Sequence, residues 1–290
     1  KTGTNFARQT ILSAWAKNDT EGAVAWARDN FDSDAKGADA NPWIVGVIEG
    51  ISSIDLVRAT ELLEELPFSR GRGQALDSVF AEVTSGGPEE AKQWIASLGD
   101  AKLKSGAASR LAGQLARNDP RAAAEWASSM GSEILKSSAG EIIQEWADDD
   151  LTAARTWVES QSEEIVASAG PALVREIIQN EDILAASDWL ADYEGNPAFD
   201  ESVRSLVWNS MGEEPAFAAD WIMRLSSEDD QRNTFHRMIG KWMSKDEAGV
   251  VDYVNNNPVP EGVKQRVEMT LKRSQNQKTY LFTKDLILTK

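Results

Sequence analysis

The residues best suited to chemistry in this 290-residue chain are carboxylates and indoles. Trp146-Ala147-Asp148-Asp149-Asp150 places three carboxylates in a row. Acids one helical turn apart can hold Mg²⁺ against a diphosphate. The residue one turn after Asp148, however, is Thr152, and Asp150 stands where a helix begins, so its carboxylate already has amides to accept from. Acids flanking a bond, with indoles stacked on sugar rings, would suit glycoside hydrolysis. Glu141, Glu145, Glu163, Glu164 and Glu176 supply acids, yet no two of them stand out as an acid and a base. The lone histidine, His236, has no evident orienting partner for general-base work. Ser69-Arg70-Gly71-Arg72-Gly73-Gln74 has the glycines and arginines of an anion-binding loop but lacks the phosphate-loop spacing and its Lys-Ser/Thr ending. It reads as a turn between units. Asn18-Asp19-Thr20 matches a glycosylation sequon, and it coincides with a recurring turn.

Most of these residues belong to a repeat, and the repeat explains them. Trp26, Leu62, Trp94, Trp126, Trp157, Trp189, Trp221 and Tyr253 share one register, at separations of 36, 32, 32, 31, 32, 32 and 32 residues. Three positions earlier stands a small residue, from Ala23 to Ala218, with Val250 in the last unit. Four positions before that comes Asp19, Asp55, Gly87, Asp119, Asp150, Asp182, Glu214 or Asp246. Four before that again is a large apolar residue: Trp15, Ile51, Val83, Leu115, Trp146, Ile178 and Trp242. The seventh unit has Ser210 there, and its helix end is expected to be shifted. Each column has a physical reason. Asp is a good helix N-cap, because its carboxylate accepts the free amides of the next turn. Pro88, Pro120 and Pro215 follow the cap column, where proline loses no needed amide. Ala and Trp at i, i+3 share a helix face, so the alanine admits a neighbouring helix and the indole fills the gap. Of the eleven tryptophans, only Trp43 and Trp208 fall outside these columns.

The expected fold is therefore all-α: an α-solenoid of about eight two-helix repeats of about 32 residues, forming a right-handed superhelix. The units fall near 5–30, 41–66, 70–98, 102–130, 133–160, 163–192, 197–226 and 228–255, with a closing cap helix over 261–273. The stretch from Phe31 to Trp43 reads as a longer surface loop, and Met130 to Glu133 as a turn between helices. Residues 274–290 form a non-repeat tail, polar first and then apolar and β-prone from Tyr280 to Leu288.

The recurring W-A-x-x-D-P-x-A-A-x-x-W phrase resembles tryptophan-rich α-helical hairpin repeats of uncharacterised planctomycete and verrucomicrobial proteins. In architecture the unit resembles tetratricopeptide-like and Sel1-like repeats, although the tetratricopeptide W-x2-L-G-x2-Y helix is not present. The resemblance covers roughly residues 5–273. It implies no activity and no cofactor. It does imply an export or anchor segment ahead of the repeats, and hence an exported or periplasmic, cell-envelope location, with a cytoplasmic one as the alternative. The chain opens on Lys1 rather than Met, as a processed or truncated start does; a cloning choice gives the same start.

Composition narrows the partner. There is no cysteine, so disulfides and thiolate chemistry are excluded. The net charge is -17 and unevenly spread: Asp148 to Asp230 holds 20 acids against four arginines. Such a surface repels nucleic-acid phosphates and anionic lipid, and attracts basic proteins. No apolar run is long enough to span a membrane. The expected function is a non-enzymatic scaffold that binds a protein or peptide, basic in character, on a concave acidic surface. Gln114, Glu145, Asn209 and Lys241, just ahead of the apolar column, vary from unit to unit and are the candidate contact positions. Two alternatives stand: an all-helical carbohydrate-active enzyme using paired carboxylates and Trp platforms, and a structural spacer in a larger envelope protein.

Overall fold

The structure, a computed structural model, describes residues 2–31 and 41–273. The tail and most of the Phe31–Trp43 loop lie outside the described residues. Among the described residues the fold is all-α, with no strand. The helices are α1 (Thr2–Ala16), α2 (Thr20–Asp29), α3 (Pro42–Ile51), α4 (Leu56–Glu65), α5 (Arg70–Ser85), α6 (Pro88–Ser97), α7 (Ala101–Ala116) and α8 (Pro120–Ser129). They continue as α9 (Ser132–Glu159), α10 (Glu163–Asn180), α11 (Ile183–Ala191), α12 (Asp200–Ser210), α13 (Pro215–Ile222), α14 (Glu228–Lys245) and α15 (Glu247–Asn256). A last helix, α16, covers 261–273. None of the described helices is long and apolar enough to cross a membrane.

The chain divides into two compact units, Lys1–Glu145 and Trp146–Lys290. In the first, α1 packs on α3, α3 on α5 and α5 on α7, while α2, α4, α6 and α8 each pack on the helix just before them. In the second, α10 packs on α12 and α13 on α15, with sequential neighbours also in contact.

The recurring columns have recurring geometry. Six aspartates cap the following helix through the side chain: Asp19 accepts from the Gly22 amide, Asp55 from Arg58, Asp119 from Ala122, Asp150 from Ala153, Asp182 from Ala185 and Asp246 from Gly249. Asp150 does so inside α9, where its φ of -153° and ψ of 85° break the helix. Nearly the same backbone pair recurs at Asp19, Asp55, Asp119 and Asp246. Gly87 and Glu214 supply no side-chain cap, and Gly87 turns the chain instead with φ at +103°. Gly131, in the turn between units ahead of α9, also has a positive φ, +117°.

One expectation is corrected. The helix end at Ser210 is not shifted: the Glu214 amide donates to the Ser210 carbonyl at 2.9 Å, as Asp19, Asp55, Asp119 and Asp246 donate to Trp15, Ile51, Leu115 and Trp242. Ser210 is buried, and its hydroxyl donates to the Leu206 carbonyl at 2.8 Å. A serine that satisfies itself on its own helix can therefore replace a large apolar residue without moving the turn.

The packing columns face inward. All eight small residues, Ala23 through Val250, are fully buried. Trp94, Trp189, Trp221, Leu62 and Tyr253 are buried beside them, and Trp26, Trp126 and Trp157 are half-buried. The polar ends of two of these rings tie a helix to the one two before it. Trp94 Nε1 donates to Thr60 Oγ1 at 3.0 Å, and the Tyr253 hydroxyl to Asp220 Oδ1 at 2.8 Å. Burial, reinforced by the Asp220 carboxylate, raises the Tyr253 phenol above its ordinary range.

Candidate functional site

The sequence-level candidates occupy local structural positions. Asp150 serves as an N-cap, while Asp148 and Asp149 are exposed. Among the described residues no three His, Cys, Asp or Glu side chains group so as to hold a metal ion. Glu145 is held by Arg117 at 3.2 Å, Glu163 accepts from Asn196, and Glu176 is buried beside Arg175 at 3.3 Å. Glu141 and Glu164 are exposed. Trp43 lies in the first turn of α3 and packs against Trp26 and Phe31, with ring centroids 5.3 and 6.3 Å away. Trp208 is partly exposed. His236 sits half-buried in α14. The sequon residues are used by the turn itself: Asn18 Nδ2 donates to Ala14 and Thr20 Oγ1 to Ala16.

Of the four candidate contact positions, Gln114, Asn209 and Lys241 are exposed and Glu145 is half-buried. Asn209 turns its amide back to the Ser205 carbonyl at 2.8 Å. The same register holds Gly50 and Ile177 in other repeats, and both are buried. This column is thus a surface at some turns and core at others.

Two regions are distinguished by charge. In the Trp146–Lys290 unit, every acidic residue from Asp148 to Asp230 is exposed except Glu176, Asp200 and Asp230. The four arginines of that stretch are all engaged: Arg155 with Glu159, Arg175 with Glu176, Arg204 with Glu201 and Arg224 with Glu194. Most of the carboxylates of this stretch face solvent, and they outnumber its arginines by 20 to four.

The Lys1–Glu145 unit carries the opposite: a cleft of about 230 Å³ between the start of α5 and α7, walled by Phe68, Leu76 and Leu103 and by the cations Arg72, Lys102 and Arg110. Ser69 and the first residues of α5 shape it: Ser69 caps the helix by accepting the Arg72 amide at 3.1 Å. Arg72 is buried, and its Nε donates to the Leu63 carbonyl at 3.3 Å. Its Nη2 lies 3.2 Å from Asp100 Oδ1, an ion-pair distance, but at an angle that leaves Nη2 without a hydrogen bond. That same oxygen accepts the Leu103 amide at 2.7 Å. This amide, and then Arg72, hold the Asp100 carboxyl below its usual range against some loss of solvation. Arg110 is fixed by Asp77 at 2.8 Å. The arginine-glycine segment, expected as a turn between units, is instead the opening of α5, because Ser69 caps the helix there, and with α7 packed beside it the segment forms a cationic cleft.

Comparison with protein-family models, curated proteins and solved structures returned no match. The resemblance to tetratricopeptide-like and planctomycete-type repeats gains no support there, and what stands is an all-helical fold whose helices pack on their neighbours.

Proposed function

We propose that the chain is a non-enzymatic helical-repeat scaffold, built as an α-solenoid of about eight two-helix units, that binds a basic protein or peptide through the Trp146–Lys290 unit. The observation that carries this is the run of exposed acids from Asp148 to Asp230, whose only arginines are already paired. Uncompensated surface carboxylates raise the local concentration of cationic partners and speed their encounter. The eight small residues of the repeat and the indoles of Trp94, Trp146, Trp189, Trp221 and Trp242 are buried rather than offered as a ligand platform. Asn209 and Lys241, exposed on α12 and α14, are its positions for tuning partner choice.

The test is fluorescence anisotropy of a labelled arginine-lysine-rich peptide against the whole chain. The expected result is saturable binding that weakens by more than about tenfold between low and moderate salt. Charge reversal at Asp188, Asp192 or Glu213 is expected to weaken it, while reversal at Glu125 or Glu133 in the other unit leaves it unchanged. Binding indifferent to salt, or equal losses from both sets, would overturn the assignment, the second because it signals only net charge.

A further inference from the structure

The Phe68–Arg110 cleft has features that neither helix packing nor the acidic surface explains. Its walls hold three cations and no carboxylate, in a chain of net charge -17. Arg72 is 95% buried, and its guanidinium is held behind the cleft by Asp100, at 3.2 Å, and by the Leu63 carbonyl. Phe68 is 78% exposed at the rim, and the Lys102 ammonium lies 4.9 Å from its ring centroid. Gly73, inside α5, lies on the cleft, and a Cβ built there would meet no atom within 4 Å. A glycine within a helix costs about 1 kcal/mol against alanine, so open space at this position comes at some expense to the helix. The N-terminus of α5 adds partial positive charge on the same side.

We propose that this cleft binds a short peptide segment in which a carboxylate neighbours an aromatic or large aliphatic side chain. The apolar group would lie against Phe68, Leu76 and Leu103 over Gly73, and the carboxylate would meet the Lys102 ammonium and the Arg110 guanidinium. Asp77 and Asp100 position two of the cations and keep them from collapsing into the space. The volume is below the ~300 Å³ at which pockets for drug-sized ligands begin. It suits one side chain and its neighbour. A carboxylate is favoured over a neutral acceptor because charge-assisted bonds to guanidinium and ammonium are about twice as strong. This inference is independent of the basic-partner reading, because probe charge and responsible residues are opposite and lie in separate units.

The experiment uses the whole chain and a fluorescein-labelled heptapeptide with adjacent phenylalanine and glutamate among glycines and serines. Saturable binding is expected. Gly73→Leu, which fills the cleft, and Lys102→Glu, which reverses its charge, should each weaken it by more than about tenfold. Circular dichroism melts should stay at or above the parent's. Lys102→Gln should fall between, and Asp188→Lys should leave binding unchanged. Replacing the peptide's glutamate by glutamine, or its phenylalanine by alanine, should each cost a similar factor. The proposal is overturned if no saturation occurs below millimolar peptide, if Gly73→Leu binds like the parent, or if the glutamine peptide binds equally. N-acetylphenylalanine binding as tightly as the peptide would also overturn it, since the ligand would then be a small carboxylate.

Discussion

The α1–α3 contact and the α14–α15 contact bring helices together by opposite means. Between α1 and α3 the gap is closed by removing side chains: a Cβ on Gly46 would lie 2.7 Å from the Gln9 carbonyl, and one on Gly50 only 2.3 Å from that of Ser13. Between α14 and α15 the gap is filled, with Trp242 and Tyr253 centroids 5.6 Å apart and Phe235 within 6.5 Å of both. Backbone contact cannot accept a larger residue, and an aromatic cluster cannot lose one. The same architecture therefore fails in opposite directions at its two ends.

The largest effect should come from truncating the filled contact. Trp242→Ala removes an indole that is 4% exposed, at an expected cost of about 3–5 kcal/mol. Urea denaturation followed by far-ultraviolet circular dichroism would read it, and a cost below about 1 kcal/mol would mean that the cluster is not cohesive. Next is growth in the closed contact. Gly50→Ala should destabilise by about 1–3 kcal/mol through overpacking. Gly73→Ala, in open space, should stabilise by up to about 1 kcal/mol through helix propensity alone. If both alanines stabilise, the α1–α3 approach is looser than the geometry states.

What the sequence made legible follows from the same contrast. Filled contacts announce themselves, because Trp, Ala and Asp in step are improbable side chains with few structural uses. The caps at Asp19, Asp119 and Asp246 and the burial of Ala91 and Trp94 were readable in this way. Closed contacts are quiet. Gly46 and Gly50 lie within an apolar helix and give no periodic signal, although their four-residue spacing, one face of a helix, was available as a clue. The cleft was half legible. Ser69–Gln74 carries the glycines and arginines of an anion-binding loop, but Lys102 and Arg110 come from a different helix, and only packing of α7 on α5 brings them there. At Ser210 the side-chain type points to a shifted helix end, but the turn is decided by backbone hydrogen bonds, which a serine leaves in place.

The caps give an intermediate effect and test whether the repeated turn is held by its aspartates. Asp119→Ala removes the acceptor for the Ala122 amide and should cost about 1 kcal/mol, with Asp119→Asn retaining most of the stability. Glu214 has no side-chain cap bond at the equivalent turn, so Glu214→Asp should gain a few tenths of a kcal/mol. Equal melting temperatures for Asp119→Ala and Asp119→Asn would show that the backbone turn holds without its carboxylate.

The smallest effect returns to the glycine-closed contact. The close approach of α3 to α1 sets Glu49 against Gln9, whose Nε2 donates to both carboxylate oxygens at 3.1 and 3.2 Å. Burial raises the Glu49 carboxyl above its ordinary range, and the Gln9 bond only partly offsets this. The folded chain thus holds this proton at a higher pH than the unfolded chain does. The resulting contribution to stability is complete below the unfolded value of about 4.3 and is lost as pH rises through the raised folded value. Glu49→Gln removes the titration and keeps an oxygen for Gln9 to donate to. The variant should melt about 1–3 °C above the parent at pH 7, and the difference should shrink as pH falls toward about 4. A difference that stays constant across that range would mean that Glu49 is solvated like any surface acid, and that the helices do not approach as closely as Gly46 and Gly50 allow.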